Sequence, residues 1–242
     1  MHLQQILFRQ GFGSRRECAA LLQGGAVRLG ERVLRDGLEE LDPTGLTLEV
    51  SGQPWHCHER AVVLLHKPAG YECSRQPRHH ASVLSLLPMP LRRRNVQPAG
   101  RLDEDTTGLL LLTDDGALIH RLTHPRRHVP KVYEVSTAHA VAADQLQSLL
   151  TGVVLHDDPT PLRAAACEQT GANSLRLTIT EGRYHQVKRM VAAAGNRVCS
   201  LHRSALGGLH LPADLAPGRW CWLEEAELAL LSAPAAAPAE PG

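Results

Sequence analysis

The chain has 242 residues, of which 43% are hydrophobic, and this is enough for a buried core in one large domain or in a medium domain plus a small one. Its formal net charge of +1 excludes a uniformly basic protein, so a nucleic-acid surface must come from local clusters of cations. No apolar run approaches the roughly 18 residues that span a membrane, and the first residues lack the long apolar core of a signal peptide. We therefore expect a cytoplasmic protein that does not enter a membrane.

Six cysteines are scattered along the chain without a C-x-x-C pair, and we expect them to remain thiols in a reducing compartment. The segment His56-Cys57-His58 contains residue types that bind metals. A closed metal site needs a second cluster of such residues, and the sequence shows none. We therefore predict that the protein has no metal site.

Residues 1–50 are predicted to form a small separate module. Leu3 and Ile6 belong to an apolar set at helical spacing, which indicates a first helix. Ser14 is a suitable N-cap for a second helix, because Glu17 three residues later completes a capping box. Short strands are predicted to follow at residues 26–29, 32–34 and 46–50.

The other domain boundaries follow from composition. Residues 51–60 are polar and irregular and contain Pro54, which is typical of a linker. An apolar strand at residues 61–65 begins a larger domain, predicted to span residues 61–231. Residues 232–242 are rich in proline and alanine and are predicted to be a disordered tail.

The stretch Gly100–Gly116, GRLDEDTTGLLLLTDDG, combines a cluster of charges with a very apolar segment. Four consecutive leucines before an Asp-Asp-Gly turn predict a strand that is buried on both faces. A charge at the end of a buried strand is costly unless it is paired, and this makes Asp103 a candidate functional residue. The alternative is that Asp103 is a turn residue with Arg101 as its exposed partner.

Two later stretches also combine a regular element with polar residues. Residues 131–135 alternate as a strand that contains Tyr133. Residues 181–190, EGRYHQVKRM, lead into a helix with Val187 on its apolar side. Five cations and no acid lie between residues 182 and 212. Taken alone, this stretch is a capped amphipathic helix with a basic exposed face.

These three stretches resemble, in order and spacing, the motifs of the pseudouridine synthases. In that family a GRLD or HRLD segment carries the catalytic aspartate, and the tyrosine of a K-x-Y segment packs on the target uracil. The Lys or Arg after Gln-Val lies beside the carboxylate and keeps it ionised against desolvation. Arg101 would fill the space left by the flipped base or pair with the carboxylate. The implied catalytic residues are Asp103, Arg101, Tyr133 and Lys188. The implied substrate-pocket residues are Val187 and Leu102.

The N-terminal order of two helices and a hairpin resembles the S4 RNA-binding domain, on residues 10–17 and 27–33. In that family the start of the second helix lies on RNA, where backbone amides offer a phosphate site. The alternative is a generic small α/β module with solvated arginines. Basic residues elsewhere are expected to bind phosphates or to be ordinary solvated charges. The predicted RNA-binding residues are Arg9, Ser14, Arg15, Arg16, Lys67, Arg92, Arg93, Arg94, Arg126, Arg127, Lys131, Arg183, Gln186 and Arg189.

The resemblance covers residues 1–231 and fits best the RsuA-type branch, which modifies small-subunit ribosomal RNA. It implies an α+β fold, in which the S4 module precedes a catalytic domain built on a mixed, mainly antiparallel sheet flanked by helices and loops. The implied reaction converts one uridine of 16S ribosomal RNA to pseudouridine, at uridine 516 in the family. We expect no cofactor, and we expect a monomer that acts on ribosomal RNA or on an assembly intermediate.

Three alternatives remain open at this point. The substrate could be 23S ribosomal RNA, because large-subunit relatives share the architecture. The chain could be a non-catalytic RNA-binding ribosome-assembly factor, although Asp103, Tyr133 and Lys188 are all intact. Glycoside or nucleoside hydrolysis would need a second carboxylate as acid. Glu104 or Asp105 would have to supply it, but adjacent residues at the start of a strand are expected to point apart.

Overall fold

The computed structural model describes residues 1–232, except for the side chain of Pro125. The elements of the N-terminal module are α1 (Leu3–Arg9), α2 (Arg15–Gln23), β1 (Val27–Leu29), β2 (Arg32–Val33), β3 (Thr47–Val50) and β4 (Gln53–His56). The strands form an antiparallel sheet in the order β2-β1-β3-β4. The predicted capping box of α2 is confirmed, because Ser14 Oγ accepts from Glu17 N at 3.3 Å and Glu17 Oε2 accepts from Ser14 N at 2.6 Å.

The prediction of a linker at residues 51–60 is wrong in its central part, because β4 belongs to the N-terminal sheet. Trp55 in β4 pairs with Leu48 of β3 and is buried against Phe12, with 5.1 Å between the ring centroids. Pro54 is compatible with this strand, because β4 lies at the edge of the sheet, where one backbone N–H is not needed for pairing. The N-terminal module therefore extends through β4.

The larger domain is built on a nine-stranded sheet. The strands of the larger domain are β5 (Val62–Lys67), β6 (Tyr71–Glu72), β7 (Ala81–Ser82), β8 (Gln97–Pro98), β9 (Thr107–Thr113), β10 (Lys131–Thr137), β11 (Val153–Leu155), β12 (Asp158–Leu162), β13 (Ala166–Gly171), β14 (Ser174–Ile179), β15 (Val198–Leu206), β16 (Leu209–His210) and β17 (Trp220–Trp222). The main path of the sheet is β13-β14-β10-β15-β9-β5-β17, with β8 paired to β9 and β16 to β15. Only β9 and β15 run parallel within it, which confirms the predicted mixed, mainly antiparallel sheet.

Helices and two small strand pairs, the parallel pair β6–β7 and the antiparallel pair β11–β12, surround this sheet. The helices are α3 (Met89–Arg93), α4 (Gly116–Thr123), α5 (Ala143–Thr151), α6 (Gln186–Ala193) and α7 (Glu225–Leu230), with 3-10 helices at Val83–Leu86 and Pro125–Arg127. Within the described part of the chain, no helix is both long and apolar enough to span a bilayer. The predicted tail at residues 232–242 lies outside the described residues, apart from Ser232.

Strand β9 contributes to two apolar cores, one on each face of the sheet. Leu110 and Leu112 pack in the core that includes Tyr133, whereas Leu109 and Leu111 pack in the second core. All four leucines are fully buried. Successive side chains of a strand point to opposite faces, so an uninterrupted apolar run is what two cores require. The predicted strand buried on both faces is confirmed.

Gly108 allows β9 and β15 to approach each other closely. Its φ angle is +107°, which side chains of L-residues rarely adopt. A Cβ atom at this position would lie 2.3 Å from the backbone oxygen of Arg203 in β15. The glycine is therefore required both by its backbone conformation and by the lack of space.

Gln10 and Arg94 form a polar junction between the N-terminal module and the larger domain. Gln10 Oε1 accepts hydrogen bonds from Arg94 Nη1 at 3.0 Å and from Trp55 Nε1 at 3.2 Å. Arg94 also donates to Asp114 at 2.8 Å and to the backbone oxygen of His58 at 2.8 Å. The Arg94 side chain is only 5% exposed, so the prediction that it binds RNA is wrong. It ties the two parts of the chain together instead.

Candidate active site

A buried lysine forms hydrogen bonds with the loop that precedes β9, the loop that contains Asp103, Glu104 and Asp105. Lys67, the last residue of β5, is fully buried, and its Nζ donates to the carbonyl oxygens of Glu104 and Thr106, both at 2.8 Å. A third hydrogen bond joins it to the oxygen of Pro68 at 3.0 Å. Burial lowers the pKa of Lys67. The prediction that Lys67 binds RNA is wrong, because its side chain does not reach the surface. It positions the loop.

Asp103 and Lys188 meet across this loop. Lys188 Nζ lies 3.2 Å from Asp103 Oδ2 and 2.6 Å from Asp105 Oδ1, so one ammonium bridges two carboxylates. The expectation that neighbouring acids here point apart is therefore wrong for Asp105. The expectation applies to adjacent residues of a strand, whereas Asp105 lies two residues from Asp103, residues 101–106 form a loop, and β9 begins only at Thr107.

The charges of this cluster stabilise one another. Partial burial alone would raise the pKa of Asp105, but the hydrogen bond and the charge of Lys188 outweigh it and the pKa is lowered. Partial burial likewise opposes the charge on Lys188. The hydrogen bond to Asp105 and the charge of Asp103 outweigh it, so the pKa of Lys188 is raised above its ordinary value. A cationic Lys188 therefore lies beside Asp103 at neutral pH.

His185 is a second partner of Asp103, and the sequence analysis did not single it out. Its Nε2 lies 3.3 Å from Asp103 Oδ1. His185 precedes α6 and has a left-handed backbone with a φ of +49°, an uncommon conformation for a residue other than glycine. The only signal in the sequence was its place in the EGRYHQVKRM stretch, three residues before Lys188.

The residues predicted to form the substrate pocket are buried together beside these charges. Leu102 and Val187 have exposures of 6% and 3%, and Tyr133, which was predicted to be catalytic, is 7% exposed and belongs to the same apolar core. Arg101 is exposed, and within residues 1–232 it forms no ion pair. Of the two roles considered for Arg101, pairing with the carboxylate is thus not observed.

Many of the predicted RNA-binding cations lie on the surface, some of them already paired. Arg9, Ser14 and Arg93 line a cavity of about 430 Å³ beside the polar junction. Of the arginines predicted to bind RNA, those that are exposed and have no ion pair in the described residues are Arg9, Arg15, Arg16, Arg92, Arg126 and Arg127. The paired ones are Arg93 with Glu17, Arg183 with Asp158 and Glu181, and Arg189 with Asp157. Any RNA contact of the paired arginines must compete with these acids.

Two further predicted RNA contacts are largely withdrawn from the surface. Gln186 is 5% exposed, and its side chain accepts from the backbone N of Arg183 at 2.9 Å and donates to the sulfur of Met190. The prediction that Gln186 binds RNA is therefore wrong, and it shapes the start of α6. Lys131 is half-buried and donates to the oxygen of Val129 at 2.9 Å, and burial lowers its pKa to about 8.

Among the described residues, no group of three or more His, Cys, Asp or Glu side chains is arranged to hold a metal ion. The candidate site contains the carboxylate of Asp103 and its cationic neighbour Lys188, and the predicted tyrosine, Tyr133, lies buried in the apolar core. The N-terminal module, with its two helices, adjoins the larger domain through the Gln10–Arg94 junction. This combination of a mixed sheet, a charged loop and an N-terminal module defines the pseudouridine synthase class that the three motifs resemble.

Comparisons with known proteins give the same result. The family model described as RNA pseudouridylate synthase matches residues 61–193, and the S4 domain model matches residues 1–43. Ribosomal small subunit pseudouridine synthase A of Escherichia coli (strain K12) is 40% identical over 95% of this chain and 99% of its own length. The uncharacterized RNA pseudouridine synthase YtzG of Bacillus subtilis (strain 168) is 39% identical over 98% of this chain and 100% of its own length.

A solved structure agrees as well. The crystal structure of a pseudouridylate synthase superposes with a TM-score of 0.68 at 31% identity, covering 96% of this chain and 99% of that one. The chain belongs to the RNA pseudouridine synthase family and carries an N-terminal S4 domain. The predicted enzyme class, the α+β fold and the likeness to the RsuA-type branch are confirmed.

Proposed function

We propose that this enzyme converts one uridine of small-subunit ribosomal RNA to pseudouridine, at the position equivalent to uridine 516 of 16S RNA, with Asp103 as the catalytic carboxylate. The relative at 40% identity, which is named a ribosomal small-subunit enzyme, supports the substrate. The observation that carries the catalytic assignment is the contact of Asp103 with Lys188 at 3.2 Å.

The isomerisation breaks the bond between N1 of uracil and C1′ of the sugar and forms a bond between C5 and C1′. The proton on C5 is lost to solvent, and N1 gains a proton. Asp103 acts during cleavage, either as a nucleophile on the sugar or as a base on a sugar proton. Lys188 Nζ, 3.2 Å from Asp103 Oδ2, puts a positive charge next to the carboxylate before the reaction.

The target base must leave its stack to reach Asp103. Leu102 and Val187, the sequence neighbours of Asp103 and Lys188, and Tyr133 of the same apolar core would supply the apolar surface that receives the base. An aromatic ring there suits a flipped base, because stacking replaces what the base loses on leaving the helix. The same closed surface would keep the detached uracil from escaping while it rotates.

The S4 module extends the RNA-binding surface in this proposal. Arg15 and Arg16 are exposed at the N terminus of α2, where phosphates are favoured. The Gln10–Arg94 junction ties the module that contains this helix to the domain that carries Asp103. We propose that the enzyme acts in the cytoplasm as a monomer, on ribosomal RNA or on a partly assembled small subunit.

Tritium release from RNA labelled at C5 of uracil tests this function directly. Small-subunit and large-subunit RNA, and assembly intermediates of the small subunit, are assayed separately with the wild type and with Asp103→Asn. We expect release from small-subunit substrates only, and none from the variant. Release only from large-subunit RNA would overturn the substrate, and wild-type release by Asp103→Asn would overturn the catalytic assignment.

Lys188 offers a second test of the same site. Lys188→Met should lower kcat about 100-fold, the usual scale for one electrostatic partner of a reacting group. Lys188→Arg keeps the charge and should lose much less. Equal losses in both variants would contradict a role based on charge.

A further inference from the structure

Tyr184 has an unusual position for an aromatic residue. With 77% of its surface exposed, it is the most exposed large apolar or aromatic side chain in residues 1–232. Its ring stacks on the ring of His185, with 3.8 Å between centroids and an interplanar angle of 18°. One face of Tyr184 is therefore covered by His185, and the other face is open to solvent.

The His185 ring lies between Tyr184 and the catalytic carboxylate, because His185 Nε2 is 3.3 Å from Asp103 Oδ1. Stacked bases in nucleic acids are separated by roughly 3.4 Å. A base stacked on the open face of Tyr184 would lie about 3.4 Å from the Tyr184 ring. Because the Tyr184 and His185 ring centroids are 3.8 Å apart, this base would lie about 7 Å from the His185 ring. A nucleotide that neighbours the target uridine in the RNA can cover such a distance.

Apart from its stack on His185, the Tyr184 ring makes no aromatic or hydrogen-bond contact in the described residues. In the described residues its hydroxyl has no hydrogen-bond partner, and its backbone oxygen alone contacts Arg189 at 3.4 Å. The neighbouring Arg183 and Arg189 are engaged with acids of the β11–β12 pair. A free aromatic face beside a reactive site is what proteins use to bind unpaired bases.

We propose that Tyr184 and His185 form a stacking platform for the RNA base next to the target uridine. Flipping the target leaves this neighbour without one of its stacking partners, and the open face of Tyr184 replaces it. His185 links the platform to Asp103, so the platform holds the substrate in register with the carboxylate. The proposal rests on the proposed function in taking Asp103 as the catalytic carboxylate and the ligand as the RNA that this enzyme modifies.

The first test compares Tyr184→Ala with Tyr184→Phe in tritium-release assays. The substrate is whichever ribosomal RNA, small-subunit or large-subunit, the wild type converts, so an error in the substrate assignment does not affect the result. Stacking of one base predicts that Tyr184→Ala raises KM about 5- to 150-fold with little change in kcat. Tyr184→Phe keeps the ring and should behave as the wild type.

The matched control is Leu230→Ala, which removes another exposed apolar side chain, on α7, and should leave KM unchanged. A KM for Tyr184→Ala within twofold of the wild type would overturn the platform. Equal defects in the Ala and Phe variants would also overturn it, because they would assign the effect to the hydroxyl group.

The second test observes the stacking itself. The nucleotides before and after the target uridine are replaced, one at a time, by the fluorescent base 2-aminopurine, and binding is followed with Asp103→Asn to prevent turnover. We expect quenching at one of the two positions, lost when Tyr184→Ala is added. Fluorescence that does not depend on Tyr184 at either position would contradict the proposal.

Discussion

Replacing Lys67 by methionine would remove three hydrogen bonds while keeping most of the side-chain volume. The lost donor leaves the buried carbonyl oxygen of Thr106 without this partner, whereas the oxygen of Glu104 keeps a hydrogen bond from Gly70 N at 3.1 Å. A hydrogen bond to a charged donor contributes about 1.5–3 kcal/mol, and a buried group left without a partner costs about 1–3 kcal/mol. Part of this is offset, because the variant no longer buries an ammonium group whose pKa burial already lowers. We expect a net loss of about 2–4 kcal/mol in the free energy of unfolding.

For a chain of this size that loss lowers Tm by about 4–16 °C. Because the loop also carries Asp103, kcat should fall about 10- to 100-fold at temperatures where the variant is still folded. Circular dichroism gives Tm, and tritium release gives kcat. Arg219→Met is the control, since Arg219 is an exposed cation and its loss should change stability by less than about 0.5 kcal/mol. A Lys67→Met variant with wild-type Tm and kcat would refute the reasoning.

Three further predictions follow from the packing. Gly108→Ala should lower the free energy of unfolding by about 2–4 kcal/mol, because its Cβ would lie 2.3 Å from the backbone oxygen of Arg203. Thermal unfolding measures this loss, and an unchanged Tm would contradict the close approach of β9 and β15. Arg94→Met leaves Asp114 without its ion-pair partner and should lower the free energy of unfolding by about 2–4 kcal/mol. Backbone hydrogen exchange in the N-terminal module should become faster. Exchange at the wild-type rate would show that the Gln10–Arg94 junction does not restrain this module. The pKa of Lys131 is lowered from 10.5 to about 8 in the folded chain. At pH values between these two, Lys131 is neutral in the folded chain but still protonated in the unfolded chain. Stability should therefore rise with pH across that window, by at most about 3 kcal/mol, and urea unfolding of Lys131→Met should show this rise to be missing.

The contact between Asp103 and Lys188 was predictable because each residue lies in a short, unbroken motif. Asp103 and Lys188 were each assigned from a stretch of about ten residues, and the structure places them 3.2 Å apart. The two-sided burial of β9 was predictable for a related reason, since four consecutive leucines leave no polar face. In both cases the information is local in the sequence.

Burial of cations was not predictable, because it depends on partners far along the chain. Lys67 and Arg94 have the composition of surface residues, yet one binds carbonyl groups of a distant loop and the other binds Asp114. Neither partnership leaves a pattern in the neighbouring residues. His185 was missed for a different reason: its contact with Asp103 depends on a left-handed backbone at a position where the sequence has no glycine.

The scarcity of lysine in this arginine-rich chain has a practical consequence. The sequence contains three lysines, and they are Lys67, Lys131 and Lys188. One lies under the carboxylate loop, one bridges the carboxylates and one is half-buried in β10. Reagents that modify amines will therefore report almost entirely on the catalytic domain, with the N-terminal amine as the other target. Because Lys67 is fully buried, its rate of labelling measures how often the loop that carries Asp103 opens.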